Sequence, residues 1–592
     1  MISARFDDAV AGVSRVLTGY VGSLVAEELG DVAGVIEAAE AAAREGHWVA
    51  GYVAYEASSA FDPTYATNPA AEGPLAWFGV FGGCVESDYS SASGDRTPNH
   101  AVSHWSNGVD RTGYDAAFEQ VRTAIKHGDT YQVNLTFPLR AAVSGDPAGL
   151  YRDLIGSQKP AYAAHISHGS THVISVSPER FFTVKGGRVG TRPMKGTAKR
   201  GRWSAEDERA REELAASAKD RAENLMIVDL IRNDLGRVAE FGSVSVDELF
   251  TVERFETLWQ MTSAVSAQLR DDVGLLDIFT ALFPCGSVTG APKASSMQVI
   301  ADLEQSPRGV YCGTVGYIPP GNGLEGASFS VAIRTVEIDT EEGIATYGVG
   351  GGVTWYSDAD EEYEETATKA LVLRREPSPT SLFETIRWDP STDHGWVWLD
   401  EHLDRLASSA AYWGIPLDRS RARALLNGSA AELSAPSRVR LVAGTDGLHT
   451  TTAPAPERFA VGPGPHGDAV VLALDDTPID STNPRLFHKI VDRSLYQTRT
   501  ARHRAADDVM LVNEHGMVTE TTIANVAFLI DGLWVTPPRE DGLLAGVLRR
   551  SLLDEGSLKE RSVTVDEALV APAVAVINSV RGWRSAVIDP ML

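Results

Sequence analysis

The chain has 592 residues, of which 43% are hydrophobic and 22% are charged, so it is long enough for at least two domains, each with its own core. Its formal net charge is −27, and such an acidic surface repels nucleic acid and anionic membranes, so neither is expected as a partner. An anionic substrate would need a pocket that is locally basic or carries a metal ion.

The N-terminal residues lack the basic stretch and apolar run of a signal peptide, and no uninterrupted apolar segment approaches the roughly 18–20 residues of a membrane helix. Three cysteines are too few for a disulfide framework, and no CxxC pair suggests zinc. We therefore expect a protein of the reducing cytoplasm.

Both halves of the chain mix predicted strands and helices, which indicates an α/β (α+β) composition. Residues 204–238 have the pattern of one long helix. Its packed face is expected to comprise Leu225, Ile227, Val228, Leu230 and Ile231. Pro377 and Pro379 end the last helical stretch of the first half. We predict a first domain over 1–375, a linker over 376–380 and a second domain over 381–592.

The stretch "TRPMKGTAKRG" (191–201) holds Lys195 between rigid neighbours, with Pro193 before it and Gly196 after it. Two interpretations are open: a solvated cation in a turn, or an amine held against a substrate. Without further context the sequence favours the turn.

Pairs of carboxylates occur on two predicted helices. Asp220 and Glu223 are three residues apart, and so are Glu362 and Glu365, with Lys369 one turn later. Four such oxygen donors could hold Mg²⁺. The alternative is two solvated acidic helix faces on an acidic protein.

Between these helices, "YGVGGGVTW" places Gly350, Gly351 and Gly352 at the end of a predicted strand. Such a run lets backbone N–H groups approach a ligand carboxylate, although a flexible turn would look the same. Arg334 in "SVAIRT" suits bidentate carboxylate binding, or a structural ion pair. "GSVTGAPK" (286–293) lacks the spacing of a nucleotide-binding loop.

These stretches occur in an order that resembles a known family. "SPERFF", "RPMKGTAKRG", "DRAENLMIVDLIRNDLGRV", "FPCGSVTGAPK", "YCGTVGY", "VAIRT" and "GVGGGV…YEETATK" are similar to motifs of the chorismate-utilising enzymes over roughly 110–375. The resemblance implies a two-layer α/β fold and a Mg²⁺ ion that bridges helix carboxylates and the ring carboxylate of chorismate. It assigns the metal to Glu223, Glu365, Glu362 and Asp220. It assigns substrate binding to Arg334, Gly350, Gly351, Gly352, Thr289, Tyr317 and Lys369.

The resemblance also bears on Lys195. Family members that make anthranilate carry a small residue there, whereas those resembling aminodeoxychorismate synthase carry a lysine whose amine attacks C2 of the ring and expels the C4 hydroxyl. Ammonia then adds at C4. Glu179 in "SPERFF" matches the acid/base carboxylate that protonates the leaving hydroxyl. One departure is Gln260, which stands where many relatives have a histidine and cannot transfer protons at neutral pH.

In the second half, "DDVMLVNEHGMVTETTIANVAFLIDGLWVTP" alternates short predicted strands with turns at 514–516 and 531–532. Lys489 is expected on an amphipathic helix, where it could equally reach solvent. Glu520 lies at a predicted strand end, and Gly546 with the amides after it could hold a phosphate.

As an ordered set, "EHLDRLASSA", "LFHKIVDRSLYQ", "GMVTETTIANVAFL", "GLLAGVLRRSLL" and "VINSVRGWRS" resemble the fold-type IV pyridoxal-phosphate enzymes (aminotransferase class IV-like) over about 381–585. The resemblance implies that Lys489 links to pyridoxal 5′-phosphate and that Glu520 pairs with the pyridinium nitrogen. It assigns phosphate binding to Arg405 and the amides of Val547 and Leu548. Asn578 and Ser579 would lie near the phosphate and the substrate carboxylate.

Together the two resemblances predict a bifunctional enzyme that makes 4-aminobenzoate, a folate precursor, from chorismate. None of the three cysteines lies in a convincing nucleophile motif, so ammonia or a separate glutamine amidotransferase subunit would supply nitrogen. A homodimer through the second domain is expected from the fold-type IV resemblance. The alternatives are an anthranilate synthase component fused to a class IV aminotransferase, and a catalytically inactive pair of domains.

Overall fold

The structure, a computed structural model, describes residues 2–70, 73–89, 99–321, 323–373 and 378–592. It divides into two compact units: Met1–Lys199 with Ala210–Pro377, and Arg200–Arg209 with Ser378–Leu592. The sequence predicted one passage between domains, whereas the chain passes between the units three times. The predicted linker 376–380 lies partly outside the described residues. Among the described residues, no helix is long and apolar enough to cross a membrane.

The first unit is built on one continuous antiparallel sheet. Its strands are β1 Ser3–Asp8, β2 Val13–Ala26, β3 Trp48–Val53, β4 Ala76–Asp88, β5 His100–Val102, β6 Ser106–Asn107, β7 Gln132–Gly145, β8 Tyr162–His168, β9 Thr171–Ser177, β10 Arg180–Lys185, β11 Arg188–Arg192, β12 Met194–Lys199, β13 Ser245–Arg254, β14 Leu258–Gln268, β15 Gly290–Ala291, β16 Thr314–Ile318, β17 Ser328–Val331, β18 Thr335–Asp339 and β19 Ile344–Thr354. Neighbouring strands run in the order β14, β11, β10, β17, β16, β3, β4, β2, β1, β8, β9, β18, β19, β7. Strands β12 and β13 also pair with β14, and β5, β6 and β15 pair with β7.

Helices cover this sheet in two main groups. The helices up to residue 370 are α1 Val32–Arg44, α2 Ser58–Phe61, α3 Arg111–His127, α4 Pro147–Gln158, α5 Ser204–Ala216, α6 Ala218–Gly236, α7 Leu275–Leu282, α8 Lys293–Leu303 and α9 Ala359–Ala370. Of these, α5 begins in the second unit, to which residues up to Arg209 belong. One core cluster packs α1, α6 and α7, with Ile36 and Phe279 fully buried. A second packs α3 and α4 against β7 and β19, with Phe118 and Ile155 at its centre.

The prediction of one long helix over 204–238 was wrong. The chain breaks between α5 and α6 at Ser217, whose hydroxyl accepts a hydrogen bond from the backbone N–H of Asp220 at 3.2 Å and so caps α6. Leu225, predicted on the packed face, is exposed, and Leu230 is half-buried. The remaining apolar residues of that face are buried.

The second unit contains two sheets and five helices. Its elements are β20 Ser381–Trp388, α10 Leu399–Trp413, α11 Arg419–Ala430, β21 Ser437–Gly444, β22 Gly447–Pro454, β23 Val470–Leu474, α12 Ser494–Arg502, β24 Asp508–Val512, β25 Val518–Thr521, β26 Asn525–Ile530, β27 Leu533–Thr536, α13 Val547–Asp554, β28 Lys559–Glu560, α14 Val565–Val570, β29 Val574–Asn578 and β30 Gly582–Asp589. Strands β20, β21 and β22 form an antiparallel meander. In the larger sheet, β25, β24, β23, β30, β29 and β26 form a closed ring, because β25 also pairs with β26.

The segment Arg200–Arg209, which follows β12, packs within the second unit. The Tyr412 hydroxyl donates to the Gly201 carbonyl at 2.7 Å, and Trp203 packs on Phe487 with ring centroids 5.1 Å apart. The Nε2 atom of His488 lies 3.2 Å from the Arg202 carbonyl. Because His488 is the neighbour of Lys489, this segment supports the backbone that carries the predicted cofactor lysine.

Candidate active sites

The first unit contains a cavity of about 550 Å³, within the range of about 300–1,000 Å³ typical of ligand pockets. Strands β12 and β19 and helices α6 and α9 supply most of its walls. The structure brings together here eleven of the residues singled out from the sequence: Glu179, Lys195, Asp220, Glu223, Gln260, Arg334, Gly350, Gly352, Glu362, Glu365 and Lys369. Motifs far apart in the chain therefore meet at one place.

The amine of Lys195 enters this cavity instead of projecting into solvent. It lies against Gly352, with Nζ 2.8 Å from the position that a Cβ would take there. Within the described residues it makes no hydrogen bond or ion pair. Burial lowers the pKa of Lys195, although the Glu223 carboxylate acts in the opposite direction. A lowered pKa increases the fraction of neutral amine, which is the nucleophilic form.

Glu179 lies at the start of β10 with its side chain buried. Ser287 donates a hydrogen bond to its carboxyl group at 2.6 Å. Burial raises the pKa of Glu179 to about 7, against the lowering effect of Ser287 and of Lys195. A carboxyl group with a pKa near neutrality can deliver a proton to a leaving group and recover it.

Arg334 provides a buried cation without an acidic partner. Its backbone has a φ of 51°, in the left-handed region. Only 8% of the residue is exposed, and its guanidinium lies 5.6 Å from the centre of the Phe255 ring. Within the described residues it has no ion pair, which opposes the structural interpretation and leaves its fork of donors open to an anion in the cavity.

The three consecutive glycines have different roles. Gly350 and Gly352 line the cavity, and the Gly350 carbonyl accepts a hydrogen bond from Lys369 at 2.8 Å. Gly351 does not line it: its missing Cβ would lie 2.9 Å from an oxygen of Glu362 on α9. The run therefore lets α9 approach β19 closely, in addition to opening the cavity.

The four predicted metal ligands face the same cavity but are not gathered as a metal-binding trio. Burial raises the pKa of Glu223 to about 7 and raises that of Glu362. Glu362 lies 3.7 Å from Lys219, and Glu365 lies 2.9 Å from Lys369. In the described parts of the chain, one trio of candidate ligand atoms lies within 4.8 Å of one another, and it is elsewhere, at Asp475, Asp476 and His503. These four carboxylates are the kind of oxygen ligand that Mg²⁺ prefers. Lys219 and Lys369 neutralise part of their negative charge.

Besides Gly351, two further predicted substrate residues, Thr289 and Tyr317, lie outside the cavity, so the structure does not bring these three to it as predicted. Thr289 is fully buried, and its hydroxyl bonds back to the Cys285 carbonyl at 3.1 Å. Tyr317 points to the opposite face of the sheet, where it contacts Phe6 and Arg15. On a strand, alternate side chains point to opposite faces, and β16 directs Tyr317 away from the cavity.

Sequence reasoning missed Tyr311, Tyr347 and Ser287, which line the cavity, and Gln132 beside it. Tyr311 stands in the same "YCGTVGY" motif as Tyr317, so the motif was found and the wrong tyrosine was chosen. The amide of Gln132 is buried and has no hydrogen-bond partner among the residues that the structure describes, and its Nε2 lies 2.5 Å from the Cβ position of Gly352. A buried, unpartnered amide beside a lysine amine is a group prepared for a ligand.

The second unit contains a cavity of about 340 Å³. It gathers Lys489, Glu520, Arg405, Val547, Asn578 and Ser579 from the sequence-based set. Leu548 is the exception, because its side chain is buried in the core with Trp583. Its backbone amide still belongs to the first turn of α13, where Gly546 makes no side-chain cap, so the assignment of that amide stays a prediction.

Lys489 does not lie on a helix, and this prediction was wrong. The residue precedes α12 in an irregular stretch, and its backbone carbonyl accepts a hydrogen bond from Phe383 at 2.8 Å. Its amine lies 4.8 Å from the centre of the Phe383 ring. Burial, followed by the Arg405 charge, lowers the pKa of Lys489 to about 8. Such an amine is available for covalent chemistry near neutral pH.

Glu520 and Arg405 are each held by several partners. The Tyr496 hydroxyl contacts Glu520 at 3.1 Å and the Leu544 amide donates to it at 3.2 Å, while burial raises the pKa of Glu520 to about 7. Arg405 pairs with Glu384 at 2.7 Å and donates to the Ala545 carbonyl at 3.0 Å. The chemistry of this cavity fits a phosphorylated pyridine cofactor. The carboxyl group suits the ring nitrogen, the lysine suits a covalent link, and the arginine with the N-terminus of α13 suits the phosphate.

Asn578 shapes one end of this cavity: its side-chain oxygen accepts from the Arg581 amide at 2.8 Å and fixes the turn after β29. Four further arginines that were not singled out from the sequence line the same cavity, namely Arg438, Arg440, Arg493 and Arg581. Alternation on β21 places the first two on one face, a signal present in "SRVR".

Comparison with known proteins gives two family matches. Residues 6–375 match the chorismate binding enzymes, and residues 381–587 match amino-transferase class IV. An aminodeoxychorismate synthase of Streptomyces griseus is 45% identical over 268 residues, which are 45% of this chain and 36% of that protein. Aminodeoxychorismate synthase component 1 of Salmonella typhimurium is 39% identical over 46% of this chain and 59% of its own length.

The chain thus spans between roughly a third and three fifths of these two relatives. Among solved structures, anthranilate synthase component I from Streptococcus pneumoniae superposes with a TM-score of 0.54 at 25% identity, covering 62% of this chain and 93% of that one.

Proposed function

The chain belongs to the chorismate binding enzymes, and from that membership we propose that its first unit aminates chorismate to 4-amino-4-deoxychorismate and its second unit converts this product to 4-aminobenzoate and pyruvate. The observation that carries the proposal is the unpartnered, buried amine of Lys195 in the cavity shared with Glu179 and Glu223. A family member that adds nitrogen at C2 has no use for a lysine there.

In the first cavity, the neutral amine of Lys195 attacks C2 of the ring, both conjugated ring double bonds shift by one position toward C4, and the C4 hydroxyl leaves with the proton of Glu179 as water. Ammonia then adds at C4, both double bonds shift back, and the bond between C2 and Lys195 breaks. The proton lost from the added nitrogen restores Glu179. Arg334 binds a substrate carboxylate, with Gly350 and Gly352 allowing close approach.

Mg²⁺, held by Glu223, Glu365, Glu362 and Asp220, would supply positive charge beside a substrate carboxylate. Lys219 pairs with Glu362 and Lys369 pairs with Glu365, and these lysines offset part of the negative charge of the two acidic helices. These two ion pairs support a site whose negative charge is partly neutralised before the substrate and the metal bind.

Nitrogen comes from ammonia or from a separate glutamine amidotransferase subunit. Burial raises the pKa of Cys285 and of Cys312 to about 12, so neither supplies a thiolate. The pKa of Cys84 is also raised by burial. The three cysteines of the chain therefore offer no activated glutaminase nucleophile.

In the second cavity, pyridoxal 5′-phosphate would act as an electron sink for carbon–hydrogen bond cleavage. Glu520 would hold the proton on the pyridine nitrogen, and Arg405 with the α13 amides would bind the phosphate. Lys489 would take the proton from C4 of the amino substrate. The enolpyruvyl group would leave C3 as the ring becomes aromatic, and it would become pyruvate by taking up one proton on its methylene carbon. A homodimer through this unit stays a prediction.

The test is incubation with chorismate, Mg²⁺ and ammonium, with products separated by chromatography and mass. Wild type should form 4-aminobenzoate. Lys195→Ala should form no aminated product, and Lys489→Ala should accumulate the non-aromatic amino intermediate. Formation of anthranilate by the wild type would favour the alternative, an anthranilate synthase component fused to a class IV aminotransferase.

A further inference from the structure

Lys195 lies in a β-bulge. Strands β12 and β14 pair with Met194 opposite Thr262 and Thr197 opposite Gln260. Between these two pairs β12 has one residue more than β14, and Lys195 lies in the irregular part. A bulge bends the strand, re-aims a side chain and leaves backbone groups of the ladder unpaired.

The residue after Lys195 adopts a conformation that suits this bulge. Gly196 has a φ of 91°, in the left-handed region. A Cβ at this position would lie 2.8 Å from the Cβ of Asp220 on α6. The bulge is therefore set against α6, and it directs the Lys195 side chain into the cavity.

The carboxamide of Gln260 closes the bulge from the opposite strand. Its Nε2 donates to the Gly196 carbonyl at 3.1 Å and contacts the Thr197 hydroxyl at 3.2 Å. The residue is 7% exposed. The side chain thus provides the hydrogen bond that the ladder cannot provide at the residue next to Lys195.

We propose that Gln260 is a positioning residue for Lys195: its amide fixes the Lys195–Gly196 bulge and so holds the amine at the cavity. This inference rests on the proposed function of the first unit. An amide has two N–H donors and stays neutral at every pH, whereas a neutral imidazole has one N–H donor. Compared with the histidine of many relatives, Gln260 cannot transfer a proton, but its hydrogen bonds to the bulge do not depend on pH.

The kinetic test uses Gln260→Met, which keeps the size of the side chain and removes both donors. Because a displacement of about 1 Å costs roughly 10²-fold in rate, we expect kcat for amination to fall about 10- to 100-fold, with KM for chorismate changed by less than about threefold. Gln260→His should recover part of this loss, since a ring N–H can still donate to the Gly196 carbonyl.

Hydrogen exchange tests the bulge without requiring turnover. Amides of 194–197 should exchange faster in Gln260→Met than in wild type, while exchange elsewhere in β14 stays the same. The matched control is Gln268→Met on the same strand, whose amide donates to the Gly187 carbonyl at 3.1 Å and does not line the cavity. It should leave both kcat and the exchange of 194–197 unchanged.

A rise in KM with unchanged kcat would overturn the proposal, because it would make Gln260 a substrate contact. Unchanged exchange at 194–197 in Gln260→Met would also overturn it. If the wild type aminates nothing, the proposed function fails, and the exchange comparison still decides whether Gln260 holds the bulge.

Discussion

The Nζ atom of Lys195 lies 2.8 Å from the point that a Cβ would occupy at Gly352. We therefore predict that Gly352→Ala displaces the amine and lowers the amination rate by about tenfold or more. The free energy of unfolding should change by less than about 2 kcal/mol, since the groups that must move are the flexible ends of Lys195 and Gln132. Product assays and denaturant titration measure the two effects.

Gly34→Ala on α1 is the control for this substitution, because a Cβ there meets no atom within 4 Å. It should leave amination unchanged and stabilise the helix by about 0.4–1 kcal/mol. Wild-type amination by Gly352→Ala would contradict the placement of the amine.

The second prediction concerns pH. Burial raises the pKa of Glu179 from 4.5 to about 7, and the acid must be protonated to act. Amination should therefore decline as pH rises through about 7, and Glu179→Gln should lower kcat by about 10²–10⁴-fold. A pH–rate profile that stays flat up to pH 9 would exclude Glu179 as the acid.

The same shift affects stability. Since the pKa of Glu179 is higher in the folded than in the unfolded chain, folding binds a proton. The resulting stabilisation is complete below pH 4.5, and it is lost as the pH rises through about 7. Relative to Glu179→Gln, the wild type should thus become less stable across this interval, as denaturant titrations at several pH values would show.

Mg²⁺ should stabilise the first unit, and Glu223 should mediate part of this effect. A ligand that binds the folded state raises stability by mass action. We expect Mg²⁺ to raise the Tm of wild type, chelation to reverse the rise, and Glu223→Gln to reduce it. Because burial raises the pKa of Glu223 to about 7, the glutamine variant should be the more stable one without metal at pH 8.

An exposed carboxylate, Glu213 on α5, provides the comparison. Glu213→Gln should respond to Mg²⁺ as wild type does. An equal rise in Tm in Glu223→Gln would place the ion elsewhere.

In the second cavity, Glu384 organises Arg405. Burial alone would raise the pKa of Glu384, but the Arg405 and His402 charges outweigh it and hold the pKa well below its ordinary value. Glu384→Gln leaves a buried arginine unpaired and should cost about 3–5 kcal/mol of unfolding free energy at pH 7. The stabilisation by the Glu384–Arg405 pair is present above pH 4.5, and it is lost as the pH falls below that value.

Denaturant titration checks the loss, and absorbance titration with pyridoxal 5′-phosphate should show weaker binding by the same variant. Asp400→Asn breaks exposed pairs with Arg419 and Arg423, and it should cost no more than about 1 kcal/mol. A similar small effect of Glu384→Gln would show that Arg405 needs no anchor.

The contact between Tyr412 and Gly201 gives a further prediction. Tyr412→Phe leaves the buried Gly201 carbonyl without its donor, which costs about 1–3 kcal/mol. Trypsin should then cut faster after Arg200 and Arg202. Tyr356→Phe, at a tyrosine that is 82% exposed, should leave both stability and cleavage unchanged.

The sequence was most informative where several motifs occur in a fixed order along the chain. Lys195, Glu179 and Arg334 stand in separate motifs, and the cavity brings all three together. Periodicity and spacing alone left each of them ambiguous, because contacts between distant strands decide whether a lysine is solvated or buried. The order of the motifs along the chain, which resembles that of a known family, resolved the ambiguity that residue spacing left.

The errors arose where tertiary packing overrides local pattern. The apolar neighbours of Lys489 suggested a helix, but their burial reflects packing around an irregular strand-like stretch. Tyr317 and Tyr311 share a motif, but Tyr317 lies on β16 and faces away from the cavity, whereas Tyr311 precedes that strand and lines the cavity. Gln260 departed from the family pattern, and its role could not be found without the β12–β14 register.

The excursion of Arg200–Arg209 into the second unit limits how this polypeptide can be dissected. A gene divided at 376–380 would encode two products, each incomplete. The shorter would lack the carbonyls that meet Tyr412 and His488, and the longer would carry Trp203 without Phe487, the ring on which it packs. Each unit is thus built from two separate stretches of the chain. Cutting the polypeptide at 376–380 would therefore not give either unit complete.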